Sequence, residues 1–503
     1  MAERAHILDR LVLPAKYERL ELKVGPDLVK VLTPPRETLE VFARIAAAIK
    51  KTYEGAFIPM VGAPGAGKTT LANSLGYFEP ATFAPTLRYQ GAITFDALTD
   101  TVTRFRQAAG IVNGRILPVS IDHREGAPPT DEELAAIKRF VRTTQAPMLV
   151  LWLETDQALA QRIAERHMAL TGSSIVKLPV VVAGPDRGTW QEIALHTLEL
   201  CNNLPAGEIV EIGIDPRTYE PARAPTVGEF MKLIANDFAN LLVDHQSSSI
   251  RPLTLIIEHV SGSLDRGVLS ELTHGEPGLL NSHALLRCTP DSMIGRWWGA
   301  RRGHLTQTIF RLDARAFWFP PAAATAILRR HGPEQVTELL EAAGRSLLSP
   351  ADLRVYLERT DLGRYLAGSE RTASETRGQP AEDAQRQLAR IADEYGYGGA
   401  RDKVLNRAVL DALLAFLPTL GVPVVASASE NGLPFCSTLI PDNQIDVGDR
   451  ILCIEYCWRS GEGLASSRRS EVAQYALEKL RSYAVNLGWI APQPLTIERR
   501  RIA

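Results

Sequence analysis

Residues 57–75 read Phe57-Ile58-Pro59-Met60-Val61-Gly62-Ala63-Pro64-Gly65-Ala66-Gly67-Lys68-Thr69-Thr70-Leu71-Ala72-Asn73-Ser74-Leu75: an apolar run, a glycine-rich turn, then a stretch of helical character. Gly62 to Thr69 fill the pattern G-x-x-x-x-G-K-[ST] at every fixed position. Glycines in such a turn let the backbone fold until successive N–H groups face one point, and a helix that starts at the lysine adds the partial positive charge of its N-terminus. The turn is therefore expected to cradle phosphate, with Gly62, Ala63, Pro64, Gly65, Ala66, Gly67, Lys68, Thr69 and Thr70 as the binding residues. Lys68 is placed to neutralise phosphate oxygens, and the Thr69 hydroxyl to ligate a magnesium ion.

Working outward, short apolar runs recur at Phe57–Val61, Ala92–Phe95, Arg115–Ile121, Met148–Leu153 and Val176–Ala183, with helical stretches between them. Strands alternating with helices imply an α/β fold whose parallel sheet is covered on both faces. The run ending at Ile121 is followed by Asp122-His123-Arg124-Glu125. In such a sheet the strand ends converge on the phosphate loop, so Asp122 is expected as a second magnesium ligand and Glu125 as the group that polarises a water. The run Leu149–Leu153 ends in Glu154-Thr155-Asp156, where Thr155 is positioned to sense a terminal phosphate. Arg162 and Arg166 lie four apart on the next helix, and Arg166 is the candidate for an arginine that enters a neighbouring subunit's site.

This order of strand, phosphate loop, acid-ended strand, polar-ended strand and a helical tail resembles the additional-strand P-loop ATPases, particularly the AAA+ type, over about Thr38 to His245. The resemblance implies ATP and Mg²⁺ as cofactors, ATP hydrolysis, assembly into a homo-oligomer, and a lid arginine at Arg217 or Arg223. Glu154-Thr155-Asp156 followed by Arg162 and Arg166 also resembles small-molecule P-loop kinases, and kinase is the alternative activity.

Boundaries are expected at 1–55 (an extension with a strand-like Leu20–Val24 and a helix over Thr38–Lys51), 56–188 (the P-loop core) and 189–246 (a helical lid). A middle mixed α/β domain at 250–366, a linker at 367–382 and a C-terminal α/β module at 383–503 complete the chain. In the middle domain Arg296, Trp297, Trp298, Arg301 and Arg302 combine cations with flat rings, which suits nucleic acid, although buried tryptophans with solvated arginines give the same letters. In the C-terminal module Asp442, Asp446 and Asp449 precede Glu455 within an apolar strand, an order similar to the D…ExK metal site of restriction-like nucleases. Cys457 stands where that site has lysine, so Arg459 or Lys479 would have to supply the cation; a structural module is the expectation.

The 503 residues carry 56 Lys+Arg against 58 Asp+Glu, a formal net charge of -2, so any pull on nucleic acid has to come from local patches. No apolar run reaches bilayer length, and Met1–Arg10 does not have the form of a secretory signal. Five cysteines without CxxC spacing fit a reducing cytoplasm better than a disulfide framework. The expectation is a cytoplasmic, Mg²⁺-dependent ATPase that acts as a switch or motor on nucleic acid or a protein partner, in a mobile-element or phage-defence setting.

Overall fold

Every residue of β1 (Ala56–Val61), β3 (Leu117–Ile121) and β4 (Met148–Glu154) is buried. Strands with no polar side have both faces covered. With β2 (Leu87–Tyr89) and β5 (Val180–Val181) they form a sheet of order β2-β3-β4-β1-β5 in which every neighbouring pair is parallel. Side chains alternate between two cores. Phe57, Val150 and Trp152 meet Leu98, Ile137 and Phe140 on one face, while Ile58, Met60 and Leu151 meet Phe42, Ile45, Leu71 and Leu75 on the other. The covering helices are α1 (Arg36–Thr52), α2 (Lys68–Phe78), α3 (Phe95–Ala108), α4 (Asp131–Thr143) and α5 (Gln157–Thr171). Two more, α6 (Trp190–Asn202) and α7 (Val227–Ser247), follow the sheet.

This computed structural model describes all residues except 1–5, 26, 28–33, 112–113, 123, 125–126, 145, 173, 175, 248–250, 262–266, 275, 370–378, 397–399, 460–467 and 492–503. The chain divides into two compact units. One comprises Val12–Cys201 with Asp215–Ala239, and the other Met1–Leu11, Asn202–Ile214 and Asn240–Ala503.

In the first unit, three strand expectations are corrected. Ala92–Phe95 is not a strand, because Thr94 caps α3 by accepting a hydrogen bond from the Ala97 N–H at 3.3 Å, and Phe95 is already helical. The strand there is β2, eight residues earlier at its start than Phe95, where Leu87 and Tyr89 are buried and Arg88 is exposed. Leu20–Val24 belongs to a helix, Tyr17–Val24, whose Leu20 packs on Cys201. The run Val176–Ala183 narrows to the two residues of β5.

The other unit holds a mixed sheet of order β7-β6-β10-β9-β8. Its strands are β6 (Leu253–Ser261), β7 (Arg315–Phe319), β8 (Ala426–Ser429), β9 (Asn443–Asp446) and β10 (Ile451–Arg459). Here β7, β6 and β10 run parallel, while β9 and β8 complete an antiparallel meander. Strands expected from two separate modules thus share one sheet. The reason is local: β6 is buried throughout, and its register with β10 runs from Leu253↔Ile451 to Ser261↔Arg459, which covers an edge that neither segment could leave in water.

On one face Leu452, Ile454 and Tyr456 enter a core with α8 (Pro321–His331) and α9 (Ala400–Phe416). The alternate residue Glu455 reaches α10 (Arg469–Asn486). Among the described residues, no helix is long and apolar enough to cross a membrane.

Candidate functional site

The turn after β1 has the shape that its glycines predict. Gly65 and Gly67 sit at φ 78° and 88°, in the left-handed region that side chains resist. A Cβ on Gly62 would lie 2.6 Å from the Val182 carbonyl oxygen, so glycine is required where the segment after β5 passes the loop. Helix α2 begins at Lys68 and directs its first N–H groups and its dipole toward the loop.

Lys68 is 6% exposed and curls back over the loop, its Nζ donating to the carbonyls of Gly62 (2.8 Å) and Ala63 (3.4 Å). The neighbouring Thr69 hydroxyl donates to Asp122 Oδ2 at 2.7 Å. The sheet brings these two together because β3, which ends beside Asp122, and β1, which ends at the loop, both deliver their C-terminal ends to the same edge.

Beside the loop lies a cavity of about 340 Å³ whose remaining walls include Pro14, Leu20, Pro35, Ile193 and Met231. An anion cradle continued by an apolar wall suits a flat ring attached to a phosphate chain. The donor set also fits magnesium, which takes few protein ligands and keeps phosphate oxygens and waters for the rest. Thr69 and Asp122 would be the two protein groups.

The other expected site residues are distributed differently. Glu125 and His123 lie outside the described residues. Thr155 is next to the loop's strand partner, with its N–H (2.7 Å) and hydroxyl (3.4 Å) on the buried carboxylate of Glu154, which also accepts the Asp156 N–H (3.1 Å). Asp156 caps α5 through the N–H groups of Ala158 and Leu159, and those two bonds hold its carboxyl below the usual range. Arg166 is drawn to its own chain, to Asp131 and to the Pro129 carbonyl, rather than left extended. Arg162 stays exposed. Arg217 pairs with Asp215 and Arg223 with Glu220, and neither lines the cavity.

In the second unit the aromatic pair is not available for stacking. Trp298 is fully buried with Nε1 donating to the Leu477 carbonyl (2.9 Å), and Trp297, 7% exposed, lies edge-on to Trp298 with the Arg301 guanidinium over its ring at 4.4 Å. Burial of the rings leaves Arg296 and Arg302 as the exposed cations of that stretch.

Of the C-terminal acids, Asp442 and Glu455 come near each other. Asp442 immediately precedes β9, and its Oδ2 accepts the Tyr456 N–H at 2.7 Å. Glu455 receives hydrogen bonds from Lys479 and from the Tyr483 hydroxyl (2.9 Å). Burial pushes the Glu455 carboxyl up to about 7 against the pull of Lys479, and burial likewise raises Asp442. For Lys479 burial opposes the ammonium, but Glu455 and Asp442 outweigh it and hold the amine above its usual range. Of the two cations considered for the D…ExK order, Lys479 is thus the one seen to bond Glu455. Asp446 is engaged by Arg251 at 2.5 and 2.7 Å, Cys453 and Cys457 are buried, and the Arg459 side chain lies outside the described residues. Among the described residues, no three His, Cys, Asp or Glu side chains are grouped to hold a metal by themselves.

Sequence reasoning missed the parts of the first site that come from afar: the wall of Pro14, Ala15, Lys16 and Leu20, with Gly184, Thr226 and Gly228. Nothing local to those stretches marks them. Compared with known proteins, the chain matches no family model and no curated sequence.

Proposed function

We propose that this chain is a Mg²⁺-dependent ATPase of the additional-strand P-loop type, working as an ATP-driven switch or motor. The observation that carries the reading is the Thr69–Asp122 hydrogen bond, which joins the loop hydroxyl and the strand-end carboxylate as a ready pair of ligands. Position supports it too: β4 stands between β1 and β3, an additional strand between the loop's strand and the acid's strand. In this reading the backbone cradle and Lys68 bind the β and γ phosphates, the apolar wall takes the base, and bound magnesium supplies charge neutralisation on the phosphate oxygens. Lys68 exchanges its two carbonyl partners for phosphate oxygens. Homo-oligomerisation and a nucleic-acid or protein partner belong to the same proposal.

The test is calorimetric titration of the full chain with Mg²⁺ and ATP, alongside Lys68→Ala. Binding by the wild type that the variant lacks is expected; no heat from either disposes of the reading. The kinase alternative has room for an acceptor in a cavity of about 830 Å³ beside Asp122, lined by Tyr89, Phe95, Arg124 and Glu132 among others. Labelled ATP that yields only free phosphate over a panel of acceptors removes that alternative.

A second reading, a nuclease-like activity in the other unit, is favoured by Lys479 on Glu455 with Asp442 nearby. Mg²⁺-dependent cleavage of DNA or RNA that Glu455→Gln abolishes is its expected outcome, and cleavage unaltered in that variant removes it.

A further inference from the structure

The phosphate loop is held from outside by the start of α7, 162 residues further along the chain at the Thr226–Pro64 contact. The Thr226 hydroxyl donates to the Pro64 carbonyl at 3.1 Å, and the Gly228 N–H donates to the Gly65 carbonyl at 3.0 Å. The backbones of Gly65 and Gly228 cross so closely that a Cβ on Gly228 would fall 2.8 Å from the Gly65 Cα, and one on Gly65 would fall 2.7 Å from the Thr226 hydroxyl. Neither glycine can be replaced without moving the other strand of this crossing. Thr226 is itself buried, and its hydroxyl also accepts the Glu229 N–H at 3.4 Å at the first turn of α7. One hydroxyl therefore links the shape of the loop to the beginning of the helix.

The consequence for an anion follows from peptide geometry. In a trans peptide the C=O and the next N–H point to opposite sides. Drawing the Pro64 carbonyl toward Thr226 turns the Gly65 N–H the other way, and Val227 and Gly228 line the cavity while Thr226 does not. Gly184 approaches from a second direction, where a Cβ would stand 2.9 Å from the Ala66 carbonyl oxygen. The loop is shaped before any ligand arrives, which removes part of the ordering cost of binding.

We propose that Thr226 and Gly228 are positioning residues for the phosphate chain of the nucleotide, bracing the loop so that its N–H groups converge, and that occupancy of the loop is coupled in turn to the first turn of α7. This rests on the nucleotide-binding reading above. The lid then contributes to the site through a hydroxyl and a glycine rather than through Arg217 or Arg223.

The test compares full-length wild type, Thr226→Val, Thr226→Ser, Gly228→Ala and Lys68→Ala, titrated calorimetrically with Mg²⁺ and a non-hydrolysable ATP analogue and, separately, with adenosine. Thr226→Val, which loses the hydrogen bond to Pro64, and Gly228→Ala, whose Cβ displaces Gly65, are each expected to bind the triphosphate about tenfold more weakly, an effect the size of roughly one hydrogen bond. Thr226→Ser restores the affinity, and adenosine, which lacks phosphates, binds all of them alike. Equal triphosphate affinity in wild type, Thr226→Val and Gly228→Ala overturns the brace while leaving the nucleotide reading intact. A parallel loss for adenosine and triphosphate also overturns it, since that marks general damage to the fold. If wild type and Lys68→Ala alike bind no triphosphate, the nucleotide reading and the brace fall together.

Discussion

Thr69 and Asp122, 53 positions apart in the chain, are joined by a 2.7 Å hydrogen bond at the edge of the parallel sheet. A hydroxyl on a helix's first turn and a carboxylate just beyond a strand meet here because both elements end at the same side of the sheet.

That pair sets the first prediction. Thr69→Ala and Asp122→Asn each remove one expected metal ligand, which should lower ATP turnover on the order of 10²–10³-fold, since a metal's charge stabilisation is several kcal/mol and each 1.36 kcal/mol is a factor of ten. The shift of the Mg²⁺ dependence to higher concentration, read by phosphate release, accompanies the loss. Turnover unchanged in both variants contradicts the assignment of these two residues.

Arg166 supplies the second. Held by Asp131 and the Pro129 carbonyl on a partly exposed surface, it is expected to matter little. Arg166→Ala should change unfolding free energy by only ~0.2–1 kcal/mol, as exposed pairs do, and leave turnover near wild type. If instead mixtures of the variant with wild type lose turnover out of proportion to the dose, Arg166 leaves Asp131 to complete a neighbour's site.

A third concerns pH. The Glu455 carboxyl is raised to about 7, chiefly by burial, whereas an ordinary glutamate releases its proton near 4.5. A raised folded-state value contributes stability that is full below about 4.5 and is lost as pH climbs to 7. The difference corresponds to roughly 3 kcal/mol. Denaturation curves between pH 4.5 and 7 should therefore slope toward greater stability on the acid side from this group, and Glu455→Gln should flatten them. A residual slope of the same sign is expected from Asp442, which burial also raises. Equal slopes in wild type and variant would place the Glu455 titration elsewhere.

The fourth separates burial from recognition. Trp298 is fully enclosed and hydrogen-bonded to Leu477, so Trp298→Ala should cost about 3–5 kcal/mol of stability, in the range of large-to-small core changes. Binding to single-stranded DNA at low salt, if present, should respond to Arg296→Ala and Arg302→Ala and not to loss of the ring. A variant at Trp298 with native stability but weaker DNA binding would reverse this assignment.

Some of this was legible in the chain and some was not, for reasons that differ by residue. The glycine-rich loop could be read because its pattern is local: glycines at positive φ, a lysine and a hydroxyl occupy eight consecutive positions, and the strand and helix around them announce themselves by an apolar run and by periodicity. Asp122 could be read because an acid after an apolar run has only one place to go in a parallel sheet. Ala92–Phe95 was misleading because apolar residues beside a helix cap look like a strand until Thr94 is seen to accept the Ala97 N–H. Lys479 could be named only as one of two candidates, since 24 positions separate it from the Glu455 it bonds.

By itself, then, the order of residues determined the glycine-rich turn, the alternation that makes the first unit α/β, and the acids at the strand ends, since each depends on neighbours within a turn or a strand. Tertiary structure alone decided that β6 and β10 pair, that Trp298 faces inward, and that Thr226 and Gly228 clasp the loop at Pro64 and Gly65. Those contacts join segments far apart in the chain, where the pairing is chosen by which surfaces bury each other and which backbone groups find partners, and no local pattern encodes that choice.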